Sequence, residues 1–194
     1  ILTTTVVNIH HQMDFATHCR PHANEILILG WGLYTVEDET TKAFYDQLSS
    51  IPEITHRTMS AITQNCTYGL DNMHVACTDA DLSFFDFYDI QLLEGRLFSP
   101  GKQGLHEAIV NETFAERMHW GDDVIGRSIN MGEGEIYKVA GLLKDFQMET
   151  FTNGKRPFMA VPNKAFYGTV HIRLKEPFAD NLRKLNHEAK EAFP

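Results

Sequence analysis

Residues 107–119 read Glu-Ala-Ile-Val-Asn-Glu-Thr-Phe-Ala-Glu-Arg-Met-His. The pattern changes from that of a strand to that of a helix at a single residue. The short apolar run over 107–110 predicts a buried strand. Asn111 follows at once, and an asparagine in that place accepts hydrogen bonds from the first N–H groups of a helix. The stretch therefore predicts a strand over 107–110 and a capped helix over 112–119.

On both sides of this stretch the sequence predicts short elements separated by turns. Upstream, the aromatic-rich residues 81–88 favour a short buried helix, and residues 94–101 are rich in turn formers. Downstream, strand patterns over 127–131 and 135–143 flank a glycine-rich hairpin signal at 132–134. The middle of the chain is therefore predicted to be rich in β-structure.

The first part of the chain alternates strands with a helix. Apolar and alternating patterns predict strands over 25–31, 54–63 and 73–78. Between the first two, residues 35–50 predict a helix that opens with a capping box at Thr35.

The last part of the chain resembles the first. It predicts strands over 158–161 and 168–175 and a helix over 178–193. Strand–helix elements at both ends around a β-rich middle favour an α+β fold with two lobes. We predict a mixed α/β lobe formed from both chain ends, residues 1–80 with 158–194, and an inserted β-rich lobe, residues 81–157.

The composition is that of an ordinary folded chain with an acidic balance. Of 194 residues, 17 are Lys or Arg, 26 are Asp or Glu and 43% are hydrophobic, with a formal net charge of −9. These values exclude a disordered, collagen-like or disulfide-dense chain. The acidity argues against nucleic acid as a partner, because binding phosphates needs clustered positive charge.

The chain has no segment long enough to span a membrane, and both of its ends suggest a fragment. The most apolar run, residues 26–34, has nine residues, whereas a spanning helix needs about 20. The sequence starts at Ile1 without a signal segment and stops at Pro194 directly after a helical pattern. We therefore expect a piece cut from a longer protein, although tag removal or proteolytic processing would give the same start.

Histidines near the start of the chain are the nearest approach to a metal site. On a helix His18 and His22 would lie one turn apart, with Cys19 beside them, and His10 and His11 could add ligands. No carboxylate or further cysteine recurs at a ligand spacing, so solvated histidines near a chain end are the favoured interpretation. We predict no bound metal and no cofactor.

Cys66 and Cys77 flank a turn signal at residues 68–72. In a hairpin they would lie near enough for a disulfide bond, and the other interpretation is two buried, inert thiols. Pairing cannot be read from spacing, so both interpretations stay open.

Four aspartates fall within eleven residues, at Asp79, Asp81, Asp86 and Asp89. Paired carboxylates can carry acid–base chemistry, but the first two stand where the helix over 81–88 needs capping acceptors. The chain also lacks the motifs of serine hydrolases, phosphate-binding loops and dinucleotide-binding folds. We predict that Asp79 and Asp81 cap the helix and that no residue is catalytic.

Several other residues are predicted to have structural roles. Glycines in the middle segment should serve turns or close packing, and Arg96 should clamp backbone carbonyls or a carboxylate. The aromatic run over 84–88 and the pair His119-Trp120 are predicted to be part of the core. The glycines concerned are Gly95, Gly126 and Gly141.

An ordered series of short motifs in the middle third carries a resemblance to a known family. The series runs Gly95-Arg-Leu-Phe-Ser99, Val110-Asn-Glu-Thr-Phe-Ala115, Ile125-Gly126 and Val139-Ala-Gly-Leu-Leu-Lys-Asp-Phe146. In order and spacing it resembles the MacB-like periplasmic core domain of FtsX-type ABC-transporter permeases. Residues 1–60 and 150–194 match that family only in general layout.

The resemblance implies a periplasmic loop between the first two membrane helices of a permease, on the periplasmic face of the bacterial inner membrane. It implies two lobes, one of them porter-like and built from both chain ends. It also implies no catalysis here, because a cytoplasmic ATP-binding subunit or domain hydrolyses ATP and this domain couples that reaction to export or release of a substrate. Further implied partners are a second permease copy, a periplasmic adaptor and an outer-membrane channel.

Two other functions stay open from the residues themselves. A ligand-sensing ectodomain of a membrane receptor would need a pocket lined by aromatic side chains with a few fixed polar groups. A periplasmic hydrolase would need convergent polar groups in a concave site.

Overall fold

The computed structural model describes residues 26–30, 45–68, 73–99, 101–131, 135–146, 155–162 and 169–192. Within these ranges nine strands form one mixed sheet and three α-helices pack against it. The strands are β1 Ile26–Gly30, β2 Ile54–Tyr68, β3 Met73–Ala80, β4 Leu92–Gly95, β5 Glu107–Asn111, β6 Ser128–Asn130, β7 Ile136–Leu143, β8 Phe158–Pro162 and β9 Thr169–Leu174. The helices are α1 Ser83–Phe87, α2 Glu112–Arg117 and α3 Phe178–Ala192, with 3-10 turns at Leu48–Ser50 and Gly101–His106.

The strand order sorts the sheet into two neighbouring groups. It runs β1-β9-β2-β3-β8-β5-β7-β4, with β6 paired to β7 beside β4. The first five strands come from the two ends of the chain, and β4 to β7 come from the segment between them. The groups meet where β8 runs antiparallel to β5, with Ile109 opposite Ala160 and Val110 opposite Met159. The α+β fold class is confirmed, and the lobe boundaries at 81 and 157 stay a prediction.

Side chains from both groups of strands are buried together on each face of this junction. Along β5 they alternate, so Ala108 and Val110 point to one face and Ile109 to the other. The α2 core consists of Val75, Cys77, Ala108, Val110, Phe114, Ala115, Val124, Ile129, Tyr137, Val139 and Met159. The α1 core consists of Ala80, Phe84, Phe85, Phe98, Ile109, Leu143, Phe158 and Ala160.

A third core lies among β1, β9 and β2 under α3. Phe178, Leu182 and Leu185 of α3 lie one helical turn apart and pack there, as the apolar pattern predicts. The buried members of this α3 core are Leu27, Leu48, Met59, Val170, Ile172, Leu174 and Leu185. Of the helix predicted over 35–50, residues 45–47 are helical within the described part and run into the 3-10 turn.

Two strands differ from the prediction, one in its length and one in its existence. β2 is a 15-residue strand rather than a ten-residue one, because its second half pairs with β3 while its first half pairs with β9. β4 was not predicted, since three of its four residues are exposed and its sequence carries no burial pattern. Both errors arise because pairing partners, not local propensity, set the ends of a strand.

Two glycines allow β4 and β7 to approach each other closely. Gly95 has φ +76° and lies opposite Gly141 in the register of the two strands. A Cβ atom on Gly95 would lie 2.3 Å from the Ala140 carbonyl oxygen, and one on Gly141 would lie 2.5 Å from the Arg96 carbonyl oxygen. The predicted role of these glycines in close packing is confirmed.

We expect Gly141→Ala to lower the free energy of unfolding by about 3 kcal/mol, because the added methyl group must displace backbone. The matched control is Gly121→Ala, where a Cβ atom meets nothing within 4 Å although φ is +57°, so only a backbone cost of about 1–2 kcal/mol applies. Urea unfolding followed by tryptophan fluorescence measures both. Equal losses in the two variants would contradict the close approach.

Candidate functional site

The amide of Asn111 joins three elements where the two groups of strands meet. Its oxygen accepts the Phe114 N–H of α2 at 3.0 Å and the Phe158 N–H at the start of β8 at 2.8 Å. Its nitrogen donates to the Arg156 carbonyl at 2.9 Å and to Asp145 Oδ1 at 2.7 Å. The residue is 1% exposed, and the four bonds use both donors and both lone pairs of the amide. The predicted cap is confirmed and also reaches a second strand.

The carboxylate of Asp145, just after β7, is the second centre of this network. It accepts the Thr113 N–H at 3.0 Å and the Thr113 hydroxyl at 2.8 Å, and it pairs with Lys155 at 3.1 Å. The Asp145 N–H in turn donates to Glu112 at 2.9 Å. The Asp145 carboxylate raises the pKa of Lys155 by hydrogen bonding and by its charge. Asn111 and Asp145 therefore bring two of the motifs into one cluster.

Asp81 forms a separate set of contacts between α1 and the strands from the chain ends. Its carboxylate accepts the Thr58 hydroxyl at 2.6 Å and the Met59 N–H at 3.1 Å, both on β2. It also accepts the hydroxyls of Ser83 at 2.7 Å and Tyr45 at 3.1 Å. Burial, with the nearby Asp81 charge, raises the pKa of Tyr45 to about 12. Asp81 thus connects three elements through one side chain.

The capping role predicted for Asp79 and Asp81 is wrong. The residue at the N-cap of α1 is Leu82, and no side chain caps that helix. Asp79 lies inside β3 opposite Ala61, because the strand runs two residues further than predicted. The carboxylate of Asp81 points across the fold to β2 instead of along the helix.

A buried histidine links α1 to β9 and β2. His171 is 1% exposed, its Nε2 lies 3.0 Å from the Ser60 hydroxyl, and its Nδ1 is hydrogen-bonded to the Tyr88 hydroxyl. Two residues further along β9, Arg173 donates to the Phe87 carbonyl at 2.6 Å and lies over the Phe87 ring. The end of α1 is therefore fixed to β9 and, through His171, to β2, which come from the two ends of the chain.

Arg96 and Glu107 form a clip between the segment after β4 and the start of β5. The guanidinium donates to the two carboxylate oxygens at 2.9 and 2.5 Å and to the Leu97 carbonyl at 3.0 Å. The Ser99 N–H and hydroxyl donate to the same carboxylate at 2.7 and 3.1 Å. The predicted clamp is confirmed. These bonds, the one from Arg96 first, outweigh the effect of burial and lower the pKa of Glu107 from 4.5 to about 2.

An open cleft of about 420 Å³ lies beside this clip. Arg96 and Glu107 face it but already bind each other. The other lining residues are Gly95, Ile125, Gly126, Lys138, Val139 and Ala140. Among the described residues no three His, Cys, Asp or Glu side chains come together as metal ligands.

The candidate metal ligands near the start of the chain lie outside the described residues; they are His10, His11, His18, Cys19 and His22.

No helix in the described ranges is long and apolar enough to cross a membrane.

The predicted hairpin between the two later cysteines exists as β2 and β3. Its register places Cys77 opposite Thr63 and Cys66 opposite Val75, and Cys77 is a buried thiol. For Cys77, the structure favours the interpretation of a buried thiol.

The aromatic predictions are mostly confirmed. Phe84, Phe85 and Phe87 are buried, and Trp120 packs against Phe114 with ring centroids 5.6 Å apart. His119 is the exception, since it is exposed and has φ +55° in the turn that ends α2. Asp86 and Asp89 are exposed and do not form a pair with the half-buried Asp81.

Sequence reasoning missed His171 and Arg173. Both stand on one face of β9, whose other face carries the buried residues Val170, Ile172 and Leu174. A histidine and an arginine at alternate positions of such a strand are a signal, because a half-buried polar face needs partners. The hydrogen-bond partners of these two side chains, however, come from α1 and β2, and no local sequence pattern identifies them.

A comparison with protein families matches residues 8–187 to the model of the MacB-like periplasmic core domain. A search of curated proteins found no match.

Three solved structures, each a periplasmic, extracellular or permease domain, have a similar fold. The periplasmic region of MacB from Actinobacillus actinomycetemcomitans is 12% identical, with a TM-score of 0.60 over 86% of this chain and 83% of that one. A domain of a putative permease from Porphyromonas gingivalis is 16% identical, with a TM-score of 0.58 over 90% and 86%. The extracellular domain of the noncanonic ABC-type transporter YknZ from Gram-positive bacteria is 16% identical, with a TM-score of 0.57 over 81% and 88%.

We expect Asn111→Ala to lower the free energy of unfolding by about 3 kcal/mol, because it removes the α2 cap and leaves several buried backbone groups unsatisfied. Asn111→Asp keeps both acceptors but loses both donors and puts a second negative charge beside Asp145, so it should not restore stability. The control is Ser128→Ala on the exposed surface of β6, expected to cost less than about 0.5 kcal/mol. Urea unfolding measures all three, and a loss no larger in Asn111→Ala than in the control would contradict this assignment.

The lowered pKa of Glu107 makes its contribution to stability depend on pH. A carboxylate with a depressed pKa stabilises the fold fully above its unfolded value, near pH 4.5, and loses that contribution as the pH falls toward 2. The stability difference between the native chain and Glu107→Gln should therefore be constant above about pH 5 and shrink below it. Urea unfolding from pH 7 to 3 tests this, with Glu94→Gln on an exposed position of β4 as control. A difference that grows as the pH falls would have the wrong sign.

Proposed function

Because the chain belongs to the MacB-like periplasmic core domain family, and so is an extracytoplasmic region of an ABC-transporter permease, we propose that it transmits ATP-driven movement to a substrate that is exported or released. The ATP is hydrolysed by the ATP-binding partner of the permease in the cytoplasm. The domain itself contributes a stiff body that changes its position with the membrane helices.

The observation that carries this proposal is the single hydrogen-bonded sheet. Strand β1 lies at one edge beside β9, and α3 follows β9 directly, so the first described strand and the last helix share one side of the fold. Strands β4 and β6 lie at the opposite side. Neighbouring strands are hydrogen-bonded from the β1 and α3 side to the far side, and packed protein interiors are little compressible. A displacement applied at the β1 and α3 side would therefore be transmitted to the far side.

Two sets of polar contacts reinforce the place where this sheet is narrowest. The ladder between β8 and β5 has two residue pairs, and the Asn111 network ties β5 and α2 to β8 beside it. On the other face, Asp81 and Tyr88 tie α1 to β2 and β9. We propose that the two lobes, 1–80 with 158–194 and 81–157, move as one body for this reason.

We propose that the domain has no catalytic role of its own. The Asp81 carboxylate takes four donors from the protein and Glu107 is bound by Arg96, so neither is presented to a substrate. The cleft beside the clip is lined by aliphatic, glycine and charged residues, which does not suit a ligand sensor with an aromatic pocket. These features favour the transporter function over the hydrolase and the sensor.

The proposed partners are a second permease copy and, above it, a periplasmic adaptor with an outer-membrane channel. Leu93 and Ile136 are large apolar side chains, 44% and 54% exposed, near the far edge of the sheet. Exposed apolar side chains at that edge are candidates for contact with such partners.

The test uses the intact permease with its ATP-binding partner in lipid vesicles. Spin labels are introduced as unnatural amino acids at Ile136 and Lys175. The Ile136–Lys175 pair reports the distance within one domain, and the two Ile136 labels report the distance between the two copies. During ATP hydrolysis we expect the Ile136 distance between copies to change while the Ile136–Lys175 distance within a domain stays constant. If the distance between copies is the same with and without ATP hydrolysis, the proposal is refuted.

A second variant separates stiffness from folding. Asn111→Ala in the same labelled permease should let the distance within the domain vary, with ATP hydrolysis continuing but export or release reduced. Ser128→Ala should behave like the parent permease. If Asn111→Ala leaves both distances and transport unchanged, the rigid connection between the lobes is not needed for function.

A further inference from the structure

The methionines of this domain are concentrated in one place. Five lie in the described part of the chain, and four of them belong to or pack against the α2 core. Met159 is 1% exposed inside that core, whereas Met73, Met118 and Met131 are half-buried around it. The fifth, Met59, is 2% exposed in the α3 core.

Half-burial combines two properties that matter for a thioether. The sulfur atom is polarisable and packs well against apolar neighbours, and it is also the atom that two-electron oxidants attack when they reach it. A sulfoxide at the same position carries a polar oxygen that the apolar neighbours cannot hydrogen-bond. A side chain that stabilises the core when reduced would therefore weaken it when oxidised.

The three half-buried methionines lie at the ends of elements that enclose the α2 core. Met118 follows the last residue of α2, Met131 follows β6, and Met73 begins β3. The same core contains Met159 of β8 and Val110 of β5, which pair at the junction. Loosening this core would therefore act on the link between the two groups of strands.

We propose that Met73, Met118 and Met131 form an oxidation site through which extracytoplasmic oxidants loosen the junction. With hypochlorous acid each sulfur gives up two electrons and gains one oxygen, chlorine is reduced to chloride, and one proton is released. With hydrogen peroxide the second product is water. A dithiol reductant returns the sulfoxide to the thioether, becoming a disulfide while the oxygen leaves as water, and this restores the packing. The effect on transport rests on the proposed function, but the modification and its effect on stability do not.

The test treats the 194-residue chain with a small excess of hypochlorous acid and maps oxidation by peptide mass spectrometry over time. We expect Met73, Met118 and Met131 to be oxidised at least about fivefold faster than Met59 and Met159, because susceptibility follows exposure. The melting temperature should fall by about 5 °C as these three sulfoxides form. Equal rates at all five positions, or full oxidation without a fall in melting temperature, would overturn the proposal.

A variant with Met73→Leu, Met118→Leu and Met131→Leu assigns the effect to these residues, since leucine keeps the volume and cannot form a sulfoxide. This variant should keep its melting temperature after the same treatment, whereas the Met59→Leu control should lose as much as the native chain. Persistence of the full loss in the triple variant would assign the effect to other groups, such as the Cys77 thiol, and overturn the proposal. The time course in the native chain stays decisive if the triple variant folds poorly.

Discussion

The fold depends most on the four hydrogen bonds of the buried Asn111 amide. A buried amide that keeps all its partners costs little, whereas each partner left unsatisfied costs about 1–3 kcal/mol. The amide therefore fixes together the end of β5, the first turn of α2 and the start of β8. The two apolar cores on either side of the sheet can form only when these elements are in register, because both cores draw side chains from β5 and β8.

Three carboxylates of this acidic chain act as structural acceptors. Asp145 gathers α2 and the segment before β8, Asp81 gathers β2 and α1, and Glu107 closes the clip with Arg96. Asp145 and Asp81 are bound by donors from elements distant in sequence, whereas Glu107 is bound by residues 8 and 11 positions away. This arrangement supports the proposed mechanical role, because these three carboxylates are already bound to donors that hold strands and helices together.

The family assignment agrees with this arrangement of residues. The motifs that carry the resemblance contain Gly95, Asn111, Gly141 and Asp145, and these are the residues at which β4, β5, β7 and β8 approach or bind one another. The solved relatives are 12% to 16% identical, so the shared fold does not need most side chains to match.

The sequence by itself determined the strand-to-helix switch at Asn111, the α+β class, the aromatic core of α1 and the clamp by Arg96. These features follow from local periodicity, capping chemistry and the donor geometry of one side chain. Only the tertiary structure decided the strand order, the existence of β4, the role of Asp81 and the contact between His171 and Tyr88. Strand pairing and buried polar bonds join residues far apart in the chain, for example 22 positions for Asp81 and Met59 and 111 for Ser60 and His171. Their energy depends on which distant group completes the bond, and a local pattern does not contain that group.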